Sequence, residues 1–292
     1  MHKYLTVFLI SFSLIAFSES TSTPPTERLE IGINEINIFS DLCPKESKID
    51  GQSTKFGHTV VLVDTTSGFG PKQFTLMDRL IYNEKKLGET PPYDRLSILK
   101  LNGKEIQASE NRYLFSKCRP RNGSDDTPYD LDKGNFWVPA KQMQKNWRVF
   151  NAGIAEANAE LEIGKMGNFT QLVEQIKELS RIPDLMFDDS YSSRKLIIVS
   201  DLVQWSKNIE FHSKCIEKGS CESWSIIKKN KKHKVWLEAM KPSFGRSSIA
   251  VEIIYLNSKL DPKLDKGLKE LWEDYFADLG IKNIKFEYET ST

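Results

Sequence analysis

The sequence contains few of the side chains that bind soft metals or carry nucleophilic catalysis. Its 292 residues include four histidines and four cysteines. No two cysteines have the Cys-x-x-Cys spacing of a zinc site, no histidine has a partner at triad or metal-ligand spacing, and no Gly-rich phosphate loop is present. These absences argue against a zinc protein, a P-loop nucleotide-binding protein and a triad hydrolase. We therefore expect no catalytic residues.

Net charge is also nearly absent. The chain has 41 Lys and Arg residues against 40 Asp and Glu residues, a formal charge of +1 at pH 7. No global electric field steers it toward nucleic acid, and no nucleic-acid partner is expected. The local basic run Lys228–Lys234 is interpreted as a solvated loop or helix end. A hydrophobic share of 39% supports a sizeable core and excludes general disorder.

The sequence has no apolar run long enough to span a bilayer, which takes about 20 residues. An apolar run over residues 4–17 is followed by the small residues Ser18 and Ser20. This pattern is typical of a secretory signal peptide, and an uncleaved membrane anchor is the alternative. We expect residues 1–20 to be a signal peptide and residues 21–54 to be an N-terminal leader and extension. The mature chain is then exported, periplasmic or secreted, without a transmembrane segment.

If the chain is exported, its four cysteines are expected to form disulfides. In an oxidising compartment an even number of cysteines indicates disulfides, and four cysteines allow three connectivities. Cys215 and Cys221 are close in sequence, so this pair is favoured, and Cys43 with Cys118 follows by elimination. A zinc site is the competing interpretation.

Apolar runs rich in β-branched residues predict strands that are buried within a parallel sheet. The strongest are His58–Asp64 (HTVVLVD) and Lys195–Asp201 (KLIIVSD). Asn102 and Gly103 predict a hairpin turn into an antiparallel strand near Glu110–Ser116. The remaining predicted strands are Arg95–Leu101, Ile249–Leu256 and Ile284–Tyr288.

Helices are predicted between these strands. Between Met143 and Leu161 the apolar residues lie three and four apart, which predicts a long helix with one buried stripe. The other predicted helices are 71–87, 168 or 170 to 181, and 262–279. The alternation predicts one α/β domain over residues 55–290. Its sheet is expected to be doubly wound, Rossmann-like and mostly parallel, with one antiparallel edge strand and helices on both faces.

Two of the predicted buried strands end in aspartate. Asp64 follows VVLV and Asp201 follows IIVS. Ligands of doubly wound sheets bind outside the carboxyl ends of the strands, where the winding direction switches. If the two strands are neighbours, both carboxylates meet there beside the hydroxyls of Thr66, Ser67 and Ser200. Such oxygens are the ligands that Mg²⁺ takes in proteins, so the sequence predicts a magnesium site.

The order of elements, the Asn-Gly hairpin and the Asp-x-Thr stretch at Asp64 resemble a von Willebrand factor type A (vWA) domain. The segments Phe115–Pro120 and Leu271–Phe276 are similar to segments of uncharacterised exported bacterial vWA-like proteins. The resemblance implies a vWA-like sheet over most of the chain. It also implies a metal-ion-dependent adhesion site.

Carried over to this chain, that site has a broken motif. The family pattern has a second hydroxyl where this chain has Gly68, and the adjacent Ser67 would need a shifted backbone to replace it. The implied metal ligands are Asp64, Thr66, Ser67, Thr170 and Asp201.

The resemblance implies a binding module that presents this site, with Mg²⁺ as its cofactor, to a protein partner. Two alternatives are a metal-dependent phosphoester hydrolase in the same crevice and a structural subunit of an envelope assembly. The hydrolase is disfavoured because the sequence lacks the dense Asp/Glu cluster of two-metal nucleases.

Overall fold

From residue 140 onward, the described strands alternate with one or two helices. The computed structural model describes residues 46–49, 52–66, 92–101, 113–121, 140–162, 169–181, 191–211, 215–244, 249–256 and 262–288. The strands are β1 (Glu46–Ile49), β2 (Gln52–Lys55), β3 (His58–Asp64), β4 (Arg95–Leu101), β5 (Tyr113–Cys118), β6 (Arg194–Ser200), β7 (Ala250–Tyr255) and β8 (Asn283–Tyr288). The helices are α1 (Ala140–Glu162), α2 (Leu172–Leu179), α3 (Trp224–Lys229), α4 (Lys231–Ala239) and α5 (Pro262–Asp278).

Some predictions fall outside these ranges. They are the signal peptide at residues 1–20, the helix at residues 71–87 and the hairpin turn at Asn102 and Gly103. The described residues all belong to one compact unit, residues 38–292.

Six strands form one sheet in the order β5-β4-β3-β6-β7-β8. β5 runs antiparallel to β4, and the other neighbouring pairs are parallel. Counted within this sheet, the order is 3-2-1-4-5-6, the order of doubly wound folds. The winding direction therefore switches between β3 and β6. The predicted α/β class, mostly parallel sheet and antiparallel edge strand are confirmed.

The edge strand β5 departs from its predicted bounds. It continues past Ser116 to Cys118, because pairing reaches the first residue of β4, where Arg95 lies opposite Cys118. The pairing register shifts between Ile98 and Leu99. A shift of this kind has no signature in the hydrophobic pattern, so the strand end could not be placed from sequence.

The central strand β3 is buried on both faces, as its continuous apolar run predicts. Val60 and Leu62 face a core cluster that includes residues of α2, α3 and α5, whereas Val61 and Val63 face a second cluster with α1. Helices therefore cover both faces of the sheet. All four side chains are 0% exposed, and full burial of such a side chain stabilises the fold by about 1.5–3 kcal/mol.

Helix α5 begins and ends as its sequence predicts. Pro262 occupies the first helical position, where its missing N–H is not needed. Gly280 has φ 81°, a left-handed conformation that glycine adopts without strain, and the N–H of Ile281 donates to the carbonyl of Phe276 at 2.9 Å. Trp272 on this helix is fully buried and donates from Nε1 to the carbonyl of Leu202 at 2.9 Å. The helix is thereby tied to the loop that follows β6.

Some elements were not predicted from the sequence, and others were predicted with less detail or with other bounds. β1 and β2 form a separate antiparallel hairpin, largely inside the extension expected at residues 21–54. The run Lys228–Lys234 spans the end of α3 and the start of α4. Helix α2 begins only at Leu172, later than predicted, because the backbone of Thr170 pairs with Trp205 in a β-bridge.

The cysteine prediction is confirmed for one pair. Cys215 and Cys221 form a disulfide with their Cα atoms 3.9 Å apart. Cys118 is also disulfide-bonded, and its predicted partner Cys43 lies outside the described residues. Disulfides are typical of oxidising compartments, which agrees with the expected export.

A buried carboxyl group, Asp94, lies just before β4 at the amino-terminal ends of the strands. It is 8% exposed, and its Oδ1 accepts a 2.6 Å hydrogen bond from the backbone N–H of Gly57. A Cβ atom at Gly57 would lie 2.5 Å from Asp94 Oδ2, so no side chain fits there. Burial raises the pKa of Asp94 to about 6, against the smaller opposing effects of the Gly57 N–H and the Arg119 guanidinium.

This raised pKa predicts a stability change with pH. Because the pKa in the folded protein exceeds the ordinary 3.8, the folded chain binds this proton more tightly than the unfolded chain does. The contribution of Asp94 to stability therefore falls as the pH rises from about 4 to about 6, by about 1.4 kcal/mol per pKa unit. Asp94→Asn removes this dependence of stability on pH and keeps an oxygen acceptor for the N–H of Gly57.

We expect Asp94→Asn to match the wild type near pH 4 and to exceed its free energy of unfolding by about 3 kcal/mol near pH 7. Urea unfolding across this range measures the difference, with Asp274→Asn on the exposed side of α5 as the matched control. A difference between Asp94→Asn and wild type that is the same at every pH would contradict the prediction.

Candidate metal centre

The candidate site lies at the carboxyl ends of β3 and β6, where the winding of the sheet switches. The two strands are adjacent and parallel, with Val63 opposite Val199. Asp64 ends β3 and Ser200 ends β6, and Asp201 follows directly. The two strands are therefore neighbours, which is the condition that the predicted site requires. Ligands of doubly wound sheets bind at this position.

Asp64 is the buried centre of the site, with 1% of its surface exposed. Its Oδ1 accepts hydrogen bonds from the backbone N–H of Thr66 at 3.0 Å and from the Thr66 hydroxyl at 2.5 Å. Its Oδ2 accepts a 2.7 Å hydrogen bond from the Ser200 hydroxyl. The carboxylate therefore holds together the turn after β3 and the end of β6, as the short side chain of aspartate does in many turns.

Thr66 and Thr170 bring two hydroxyl groups into contact although they lie far apart in sequence. Thr66 Oγ1 is hydrogen-bonded to Thr170 Oγ1. The backbone of Thr170 is held by Trp205: the N–H of Thr170 donates to the carbonyl of Trp205 at 2.9 Å, and the N–H of Trp205 donates to the carbonyl of Thr170 at 2.8 Å. The loop after β6 thus places the residue that precedes α2.

The turn after β6 is strained and firmly bonded. Leu202 has φ 63°, a left-handed conformation that costs a non-glycine residue about 1–3 kcal/mol. Its N–H donates to Ser200 Oγ at 2.9 Å, and the N–H of Val203 donates to Asp201 Oδ1 at 3.0 Å. The second of these bonds orients the carboxylate of Asp201, which is 9% exposed.

A second set of polar contacts supports the site from α2. Gln204 Oε1 accepts a 3.0 Å hydrogen bond from the N–H of Val173 at the start of the helix. Gln204 Nε2 donates to Glu174 Oε2 at 2.9 Å. Burial raises the pKa of Glu174, against hydrogen bonds from Ser206 and Gln204. One side chain from the β6 loop therefore joins that loop to the amino-terminal turn of α2.

Burial and hydrogen bonds have opposing effects on the charge of Asp64. Burial raises the pKa of Asp64, and the hydrogen bonds from Thr66 and Ser200 lower it to a smaller extent. A buried carboxylate gains from any nearby positive charge because the surrounding dielectric is low. Asp64 is therefore protonated more easily than an exposed aspartate, and a cation beside it would favour the charged form.

The structure brings together most of the predicted metal ligands. Asp64, Thr66 and Thr170 are joined by hydrogen bonds. Asp201 follows Ser200 in the chain, and its Oδ1 accepts from the Val203 N–H. Ser67, the fifth predicted ligand, lies outside the described residues. The pairing of Trp205 with Thr170 was not foreseen, because an isolated long-range bridge leaves no periodic pattern in the sequence.

The donor atoms that converge here fit a hard cation. Within the described ranges, no group of three or more His, Cys, Asp or Glu side chains is placed to hold a metal ion. Hydroxyl and carboxylate oxygens make up the cluster instead, and these atoms suit Mg²⁺, which also keeps several of its own waters. A soft metal such as zinc would find no thiolate or imidazole ligand in this cluster.

Comparisons with known proteins do not assign the chain to a family. No protein-family model matches the chain, and no curated protein is similar to it in sequence. None of the helices in the described part of the chain is long and apolar enough to cross a membrane. Inferences about function therefore rest on the geometry of the site.

The hydrogen bond from Ser200 to Asp64 predicts a stability effect. Ser200→Ala removes a donor from a buried carboxylate and the acceptor of the Leu202 N–H, so we expect a loss of about 2 kcal/mol in the free energy of unfolding at pH 7. The loss should shrink as acid protonates Asp64, since the hydrogen bond favours the charged form. Urea unfolding measures both effects, with Ser225→Ala on the exposed face of α3 as the control. Equal losses in the two variants would contradict the role of Ser200.

Proposed function

We propose that the chain is an exported binding module with a vWA-like domain, which presents a Mg²⁺ site to a protein partner. The observation that carries the proposal is the contact between the Thr66 and Thr170 hydroxyls beside the buried Asp64 carboxylate. Residues from three separate segments meet at the switch point of the sheet, where ligands of such sheets bind. The disulfide between Cys215 and Cys221 supports export.

Each residue of the cluster would have a separate role in binding the cation. Thr66 and Thr170 would offer hydroxyl oxygens to the cation, and Asp64 would supply the buried negative charge. Ser200 orients the Asp64 carboxylate through its 2.7 Å hydrogen bond, and Asp201, the next residue, would add a second carboxylate. Bound Mg²⁺ supplies a Lewis-acidic centre that accepts a further oxygen ligand, such as a carboxylate of the partner.

Binding of Mg²⁺ should raise the melting temperature of the protein. An ion at a hundredfold excess over its dissociation constant stabilises the folded state by about 2.7 kcal/mol. For a domain of this size the melting temperature then rises by about 5–10 °C. Thermal unfolding with increasing Mg²⁺ measures the shift, and Thr170→Val, which removes one hydroxyl ligand, should reduce it.

Asp64→Asn separates metal binding from folding. The variant keeps an oxygen acceptor for Thr66 but removes the charge whose burial is unfavourable. We expect its melting temperature without Mg²⁺ to equal or slightly exceed that of the wild type, and its response to Mg²⁺ to be lost. Asp274→Asn should keep the full response. A wild-type melting temperature that does not change in millimolar Mg²⁺ would contradict the proposal.

A further inference from the structure

A basic and aliphatic surface covers the outer side of the helix pair α3 and α4. We define the α3–α4 surface by six exposed side chains: Ile226, Lys229, Lys231, Lys232, Lys234 and Val235. The opposite sides of the two helices are anchored in the protein, since Trp224, Ile227 and His233 are buried. Asn230 separates the helices and caps α4, accepting a 3.0 Å hydrogen bond at Oδ1 from the N–H of Lys232.

Among the described residues, the four lysines of this surface have no ion-pair partner. Lys228, at its border, pairs with Asp278, and lysines elsewhere pair with an acid four residues away, as Lys218 does with Glu222. In the part of the chain that the structure describes, Lys229, Lys231, Lys232 and Lys234 have no such pair. α3 and α4 together carry five lysines and one glutamate, although the whole chain has a formal charge of only +1.

The position of these charges works against the stability of α4. The first turn of α4 has no acidic residue, and it begins with Lys231 and Lys232. Cations at a helix amino terminus oppose the helix dipole, and lysines close together repel one another. Folding alone therefore does not account for the cluster, whereas an anionic partner would offset both unfavourable effects.

Two aliphatic side chains project from the same surface. Ile226 is 58% exposed and Val235 is 80% exposed. Each has a lysine on its own helix face, Lys229 three residues after Ile226 and Lys231 four residues before Val235. Exposed aliphatic groups among lysines match the interface of an anionic bilayer, where the apolar groups enter the headgroup region and the ammonium groups meet lipid phosphates.

We propose that the α3–α4 surface docks the protein reversibly on membranes that contain anionic phospholipids. A nucleic acid fits less well, because single strands bind through exposed aromatic platforms, whereas Trp224 is buried and Trp236 half-buried in this helix pair. An acidic protein could pair with the lysines, but its binding would not explain why two isolated aliphatic side chains are exposed among them.

Vesicle flotation tests the proposal with the full mature chain. Vesicles of phosphatidylcholine alone should recover little protein. Vesicles with about one third phosphatidylglycerol should recover at least ten times more, and added salt should reduce this binding because it screens the lysines. Equal recovery with the two kinds of vesicle would overturn the proposal.

Two variants locate the binding surface. Replacing Lys229, Lys231, Lys232 and Lys234 with Gln should lower the partition coefficient at least tenfold. The double variant Ile226→Ser, Val235→Ser should lower it severalfold at unchanged charge. All six side chains are exposed, and circular dichroism should confirm unchanged folding.

A matched control changes the same number of exposed lysines on α5, on β8 and in the loop between them: Lys263, Lys266, Lys282 and Lys285, each to Gln. This control should bind like the wild type. A loss in the control equal to that in the α3–α4 variant would overturn the proposal, because net charge alone would then explain binding. Full binding by the aliphatic variant would also overturn it, since a soluble polyanion would then be the better partner.

Discussion

The burial of one carboxylate, Asp64, is the constraint on which the rest of the site depends. The residue ends the central strand β3, is 1% exposed, and has its pKa raised by burial. A charge in this position is tolerated only if donors surround it. Thr66 and Ser200 supply these donors from two neighbouring strands. The order of the strands therefore determines which residues meet at the site.

Features that depend on residues close in sequence could be predicted, whereas features that depend on distant partners could not. The continuous apolar run of β3 and the terminal aspartates are local signals, and they correctly placed Asp64 beside the end of β6. The bridge between Thr170 and Trp205 and the left-handed Leu202 depend on distant partners. Such features leave no periodicity, so neither the late start of α2 nor the β6 loop could be derived.

Helix α5 connects the candidate metal centre with the α3–α4 surface. Trp272 donates to the carbonyl of Leu202 in the turn beside the site. Further along the same helix, Tyr275 packs against Trp224 with ring centroids 5.1 Å apart, and Asp278 pairs with Lys228. The two proposed surfaces therefore share one supporting helix.

Anomalous diffraction from crystals soaked in Mn²⁺ tests the central claim most directly, because it locates the ion independently of stability. Mn²⁺ accepts the same oxygen ligands as Mg²⁺. The claim predicts one strong peak in contact with the Thr66 and Thr170 hydroxyls, beside Asp64. A well-ordered crystal in which these three side chains remain bonded to one another, with no anomalous peak between them, would contradict it.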